Sequence, residues 1–282
     1  MSQPDETAPA AVAAIAFEIA LLICGLWLIW RLVLRPAARA SREMRLAEWR
    51  VAPIDFACFL FFGFLGAIGL SAVAGLVVRH VAMGSDAATI VGSAVTEGGF
   101  LLGLGGFYLM YRVRAPGGGG LGLLASLKSG LATFLIAMPL VVAVSNAWEF
   151  VLTKMGLPME KQELVSILEN THSAALRWLF VGVAVVLVPA AEELLFRGGL
   201  FRFFRTRVPR RVAIGLTSAL FGALHVAWGD HMVGLPSLLP LVALAVVFCL
   251  AYERTGMIGT TIVAHALFNL NTMLLVAMGF TS

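Results

Sequence analysis

Three short sets of polar residues stand out in an otherwise apolar chain: Glu192, Glu193 and Arg197; Phe221 and His225; His265 and Asn269. On a helix, residues four apart share a face, so Glu193 and Arg197 can form an ion pair while Glu192 points about 100° away and is left to face other groups. His265 and Asn269 present an imidazole and a carboxamide one turn apart. Phe221 lies one turn before His225, where its ring can pack on the imidazole. A carboxylate facing an imidazole can bind a water and take its proton, and a second imidazole with an amide donor can stabilise an oxyanion. Together these suffice for peptide hydrolysis. The same Glu192, His225 and His265 could instead hold a divalent metal such as zinc with one position open, which lowers the pKa of bound water to about 7. Residue types and spacing leave both routes open. The chain has no HExxH motif and no Ser or Cys nucleophile motif.

These sets must be positioned by membrane spans. The chain has 282 residues, 60% hydrophobic and 13% charged, about half the roughly 25% charged residues of a soluble domain. That excludes a soluble enzyme. Apolar runs fall at residues 10–34, 54–83, 92–111, 121–152, 176–201, 212–228, 235–252 and 257–280. At about 20 residues per span they predict an all-α polytopic bundle of about eight transmembrane helices. The third and seventh runs are closest to the minimum and are candidates for re-entrant segments. One membrane domain is expected: a tail over 1–9, spans one to four within 10–175, and spans five to eight, carrying the polar sets, within 176–282. The first run exceeds the h-region of a cleavable signal and is expected to stay as a span.

Sixteen of the twenty Lys and Arg fall in or beside the first, third, fifth and seventh connections. Basic residues are retained on the cytoplasmic side, so the chain is expected to be a multi-pass protein of the cell membrane with both termini outside. The net charge of +4 therefore reports topology, and nucleic acid is not an expected partner. Residues 35–50 mix arginines with Ala, Leu, Met and Trp, the composition of either a short helix on anionic headgroups or a solvated linker. Residues 115–122 hold Pro116 and a run of glycines and read as a turn, and 159–169 read as a short amphipathic helix. Cys24, Cys58 and Cys249 sit within apolar runs and are expected to be buried small hydrophobes.

Each ionisable residue on a span needs a reason, because one at a helix centre costs about 2.5–3.5 kcal/mol even on the gentlest scales. Glu18, Glu97 and Glu149 are single carboxylates on spans one, three and four. In the later spans, a hairpin turning at Val208 and Pro209 leaves Glu192 and His225 equidistant from the turn, so the two can face each other. Pro189, three residues before Glu192, should kink the fifth span and loosen its backbone there.

Glu192-Glu193-Leu194-Leu195-Phe196-Arg197, Phe221 to His225 and His265 to Asn269 resemble the EExxxR, FxxxH and HxxxN motifs of the type II CAAX prenyl protease family, also called CPBP or Abi. The resemblance covers roughly residues 176–275. It implies an intramembrane endopeptidase with an eight-helix core and a cavity open toward the cytoplasm, acting on a membrane-associated or lipidated protein. Carried over, Glu192 would be the general base, His225 its partner on the water, and His265 and Asn269 the oxyanion side. Glu193, Arg197 and Phe221 would be supporting. The family is described both as a metalloprotease and as a metal-independent glutamate protease, so the resemblance leaves the cofactor open. Two other classes fit the same residues: a membrane scaffold or bacteriocin-immunity protein that binds without cleaving, and a proton-coupled transporter.

Overall fold

The computed structural model describes residues 7–37, 44–78, 84–111, 122–157, 173–228 and 232–278. Its helices are α1 (Thr7–Ile29, continued by a π-turn over Trp30–Leu34), α2 (Pro53–Val78), α3 (Ser85–Tyr111), α4 (Leu123–Met155), the composite α5 (Ala174–Arg205), α6 (Arg210–Ala223), α7 (Leu238–Thr255) and α8 (Ile258–Ala277). Apart from an isolated bridge between Ala227 and Val233, no β-structure occurs among the described residues. The chain is an all-α, polytopic membrane protein.

Seven of these helices are long and apolar enough to cross a membrane. The third run, α3, is a full span of 27 residues. The sixth departs from expectation, since α6 has only 14 residues and so reaches about 21 Å, short of the ~30 Å hydrocarbon layer. The sequence accounts for the stop. Beyond Ala223 come Gly229, Asp230, Gly234 and Pro236, and the chain turns through Leu224 to Val226 before a left-handed Gly234 (φ 83°) and a 3-10 turn, Leu235–Ser237, lead into α7.

Helices α2 and α3 approach closely because glycines face each other. A Cβ on Gly66 would collide with the Gly99 carbonyl, and one on Gly103 with the Phe62 carbonyl. Around this contact, Trp49, Phe56, Phe59, Phe100, Leu104 and Phe107 form an aromatic core that reaches Ala191 of α5. A second core joins α4, α7 and α8 through Phe134, Met138, Leu244, Phe248 and Phe268. Helix α1 packs on α4 at the periphery, and most of its apolar side chains are exposed, as expected of a lipid-facing helix. Cys24 is among the exposed residues and Cys58 is half-buried, so only Cys249 fits the expectation of a buried hydrophobe.

Residues 44–50 are not a helix on the lipid surface: they form an extended segment docked on the bundle, with Trp49 buried. Helix α7 ends with open carbonyls, and that of Glu253 accepts the N–H groups of Arg45 (3.1 Å) and Leu46 (3.2 Å). Gly256, at φ 68° in the left-handed region, caps α7. A Cβ there would also come within 2.8 Å of the Arg45 carbonyl oxygen. Arg202 donates to the Ala47 carbonyl at 3.2 Å, and Arg207 to that of Val51. The rest of the first connection, 38–43, and the expected turn and amphipathic helix over 115–121 and 159–169 lie outside the described residues.

Candidate active site

Helix α5 is unevenly wound. Regular helix gives way to a π-turn over Val183–Leu187, resumes over Val188–Glu193, and widens again over Leu194–Phe201. In the first π-turn the Val188 N–H reaches back five residues to the Val183 carbonyl. By the same pattern the Ala184 carbonyl would be served by residue 189, which is proline and has no N–H. Asn269 of α8 supplies the missing donor, with its amide nitrogen 2.7 Å from the Ala184 oxygen. The loosening expected at Pro189 is present, and a neighbouring side chain compensates it.

Glu193 immediately precedes the second wide turn and Arg197 lies within it. Their side chains meet at 2.8 Å and both are fully buried. His265 donates through Nδ1 to the same Glu193 oxygen at 2.9 Å, which fixes the rotation of α8 against α5. The Arg197 guanidinium lies 4.5 Å from the Phe221 ring centroid and 5.2 Å from that of Phe248. Two aromatic faces thus flank a charge that has one carboxylate oxygen as its hydrogen-bond partner.

Glu192 is placed differently. Its Oε1 lies 3.6 Å from His225 Nε2 and its Oε2 3.8 Å from His265 Nε2, and its side chain is 22% exposed. The helical hairpin brings Glu192 and His225 together, as their equal distance from the turn predicts. Phe221 positions His225 twice: its ring centroid is 4.6 Å from the imidazole, and its carbonyl lies 2.7 Å from Nδ1. A carbonyl only accepts, so Nδ1 carries a hydrogen, and in the neutral ring the Nε2 lone pair faces Glu192. All seven residues singled out from the sequence lie on α5, α8 and α6 with the turn that follows it. Asn269 is turned toward the α5 backbone.

Spacing alone did not mark Glu97 of α3, which is half-buried and within electrostatic reach of Glu192. The other single carboxylates lie elsewhere: Glu18 accepts from Asn271 at 3.0 Å and Glu149 from Ser145 at 3.1 Å. Among the described residues no three His, Cys, Asp or Glu side chains form a group suited to a metal ion; His265 has its Nδ1 on Glu193, which leaves its Nε2 edge facing Glu192.

Residues 174–271 match the family described as type II CAAX prenyl endopeptidase Rce1-like. The resemblance carried by the three motifs is thus borne out over the segment running from the start of α5 into α8. The match supports a membrane-embedded endopeptidase of the CAAX-protease kind, a hydrolase with a peptide or protein substrate. No curated protein and no solved structure matches the chain significantly.

Proposed function

We propose that the chain is an intramembrane endopeptidase that hydrolyses a peptide bond of a membrane-associated or lipidated protein, using water activated by Glu192 and His225. The observation that supports this most is the unequal treatment of two adjacent carboxylates. Glu193 is sealed by Arg197 and His265, whereas Glu192 is reachable and faces two imidazole nitrogens at 3.6 and 3.8 Å. Those separations exceed a direct hydrogen bond and suit a shared water. The His225 Nε2 lone pair accepts one hydrogen of that water and Glu192 takes the other as a proton. The oxygen then bonds to the scissile carbonyl carbon as the carbonyl electron pair moves onto its oxygen. The oxyanion side falls to His265, which can serve it through Nε2 only when the ring carries hydrogens on both nitrogens, since Nδ1–H already serves Glu193, and to Asn269 through the amide hydrogen not used on Ala184. When the C–N bond breaks, the leaving nitrogen takes the proton from Glu192, which restores the carboxylate.

The gathering of Arg45, Arg50, Arg202, Arg205, Arg207 and Arg210 at one end of the bundle supports a cytoplasmic position for that end and extracytoplasmic termini. Comparing membrane peptides from cells carrying the wild type and Glu192→Gln tests the reading: fragments dependent on the wild type should disappear in the variant. An identical peptide profile, with both proteins inserted to the same level, would sink it. A cellular phenotype that survives His225→Ala and His265→Ala would point to a scaffold.

A further inference from the structure

Helix α5 carries a second buried arginine, and unlike Arg197 it has no carboxylate partner among the described residues. Arg202 is 5% exposed. Its guanidinium lies 5.5 Å from the Trp49 ring centroid, and one nitrogen, Nη2, donates to the Ala47 carbonyl at 3.2 Å. Its Nε and Nη1 and the Trp49 indole nitrogen are buried without a hydrogen-bond partner, while the buried Tyr252 hydroxyl lies beside the guanidinium, close enough to hydrogen-bond it. Polar groups in this state are rare in native proteins, and these three, two on the guanidinium and one on the indole beside it, form a set of unused donors.

Arg202, Trp49, Arg205 and Glu253 help to line a cavity of about 140 Å³. A water needs roughly 10–15 Å³ of such space, so the cavity has room for a phosphate group. Two carboxylates line it, and both are engaged: Glu253 by Arg205 and Arg210 at 2.7 and 2.6 Å, and Glu48 by Arg50 at 2.7 Å. The charge of Arg202 is left uncompensated. The cavity lies where α5 and α7 end and the segment leading into α2 docks, the level of the lipid headgroups for helices that cross a bilayer. A guanidinium fork beside an indole N–H suits phosphate oxygens, and basic pockets between spans bind lipid headgroups.

We propose that this cavity binds the phosphate group of an anionic lipid headgroup. The site shares no lining residue with the Glu192 centre and does not depend on the chain being a peptidase. Its occupant supplies the counter-charge for Arg202 and ties the segment over 44–50 to α5 and α7.

The test uses the purified full-length chain in micelles containing either phosphatidylglycerol or phosphatidylcholine, read by thermal unfolding and lipid-binding titration. Phosphatidylglycerol should raise the wild-type midpoint above that in phosphatidylcholine. Arg202→Gln should remove this increment and weaken phosphatidylglycerol binding by about tenfold or more, as loss of a charged hydrogen-bonding partner would. A variant that lowers the midpoint equally in both lipids would make Arg202 purely structural and overturn the proposal. Should Arg202→Gln not fold, Arg202→Lys and Trp49→Phe carry the test. Each must weaken phosphatidylglycerol binding and leave phosphatidylcholine binding unchanged, and unaltered phosphatidylglycerol binding in both overturns the proposal. Inorganic phosphate distinguishes the sources: an Arg202-dependent stabilisation by phosphate alone, to which phosphatidylglycerol adds nothing, would mark a soluble ligand and exclude the lipid.

Discussion

Two carboxylates in this chain each hold two basic partners at nearly the same distances, in different surroundings. Glu193 meets Arg197 at 2.8 Å and His265 at 2.9 Å with all three side chains at 6% exposure or less. Glu253 meets Arg205 at 2.7 Å and Arg210 at 2.6 Å, and those guanidiniums are 31% and 39% exposed. At Glu253 water shares the solvation of the cations, so losing a pair changes little. At Glu193 nothing replaces a lost partner, and a stranded charge is costly. Bond length does not separate the two clusters; access to water does. The buried one fixes how α5 and α8 are rotated against each other, and so how Glu192 faces its imidazoles.

The comparison is sharpened most by the carboxylate next door. Glu192→Gln keeps shape and most hydrogen bonding but cannot accept a proton, so cleavage should fall by the ~10²- to 10⁴-fold of a positioned base, with an unchanged unfolding midpoint. Glu193→Gln should act mainly on folding. Leaving Arg197 without its carboxylate costs about 3–5 kcal/mol, measurable by denaturation in detergent, and Glu193→Gln with Arg197→Met should recover much of the loss. An active Glu192→Gln beside a folded but inactive Glu193→Gln would reverse the two roles.

A smaller effect is expected at Asn269. Removing its amide leaves the Ala184 carbonyl unpaired, a penalty of about 1–3 kcal/mol. Pro189→Ala restores an N–H that can serve that carbonyl, so the Asn269→Ala penalty should shrink in its presence, and a double-mutant cycle reads the coupling. Strict additivity would mean that Asn269 does not compensate the proline. The smallest change belongs to Glu253→Gln, at about 1 kcal/mol or less, because Arg205 and Arg210 can turn to water. A loss as large as that of Glu193→Gln would erase the distinction between the two clusters.

Contacts close along the chain were legible in the sequence. Four-residue spacing was enough for Glu193 with Arg197 and for Phe221 with His225, and the hairpin placed Glu192 opposite His225. Contacts that depend on the rotation of a distant helix were not. His265 reaches Glu193 across 72 residues and Asn269 reaches Ala184 across 85, and both follow from how Phe268 seats against Phe134 and Phe248. Hydropathy found the apolar runs but overstated the sixth, because a window that counts apolar residues continues through Val226 to Trp228 where the backbone has already turned. It also missed the docking of 44–50. The carbonyl of Glu253 that holds this segment belongs to a helix end some 200 residues further on.

That last distance has a consequence for the order in which the molecule is made. The segment over 44–50 leaves the ribosome long before the end of α7, its docking site, has been synthesised. At the 5–20 residues per second of translation, the interval is roughly 10–40 s. Through that time Trp49 cannot occupy its finished place, and α1 and α2 wait in the bilayer without the clasp that Gly256 and Glu253 will form. The arginine-rich end of the protein can therefore close only once α7 has been made, with α8 alone of the helices still to follow.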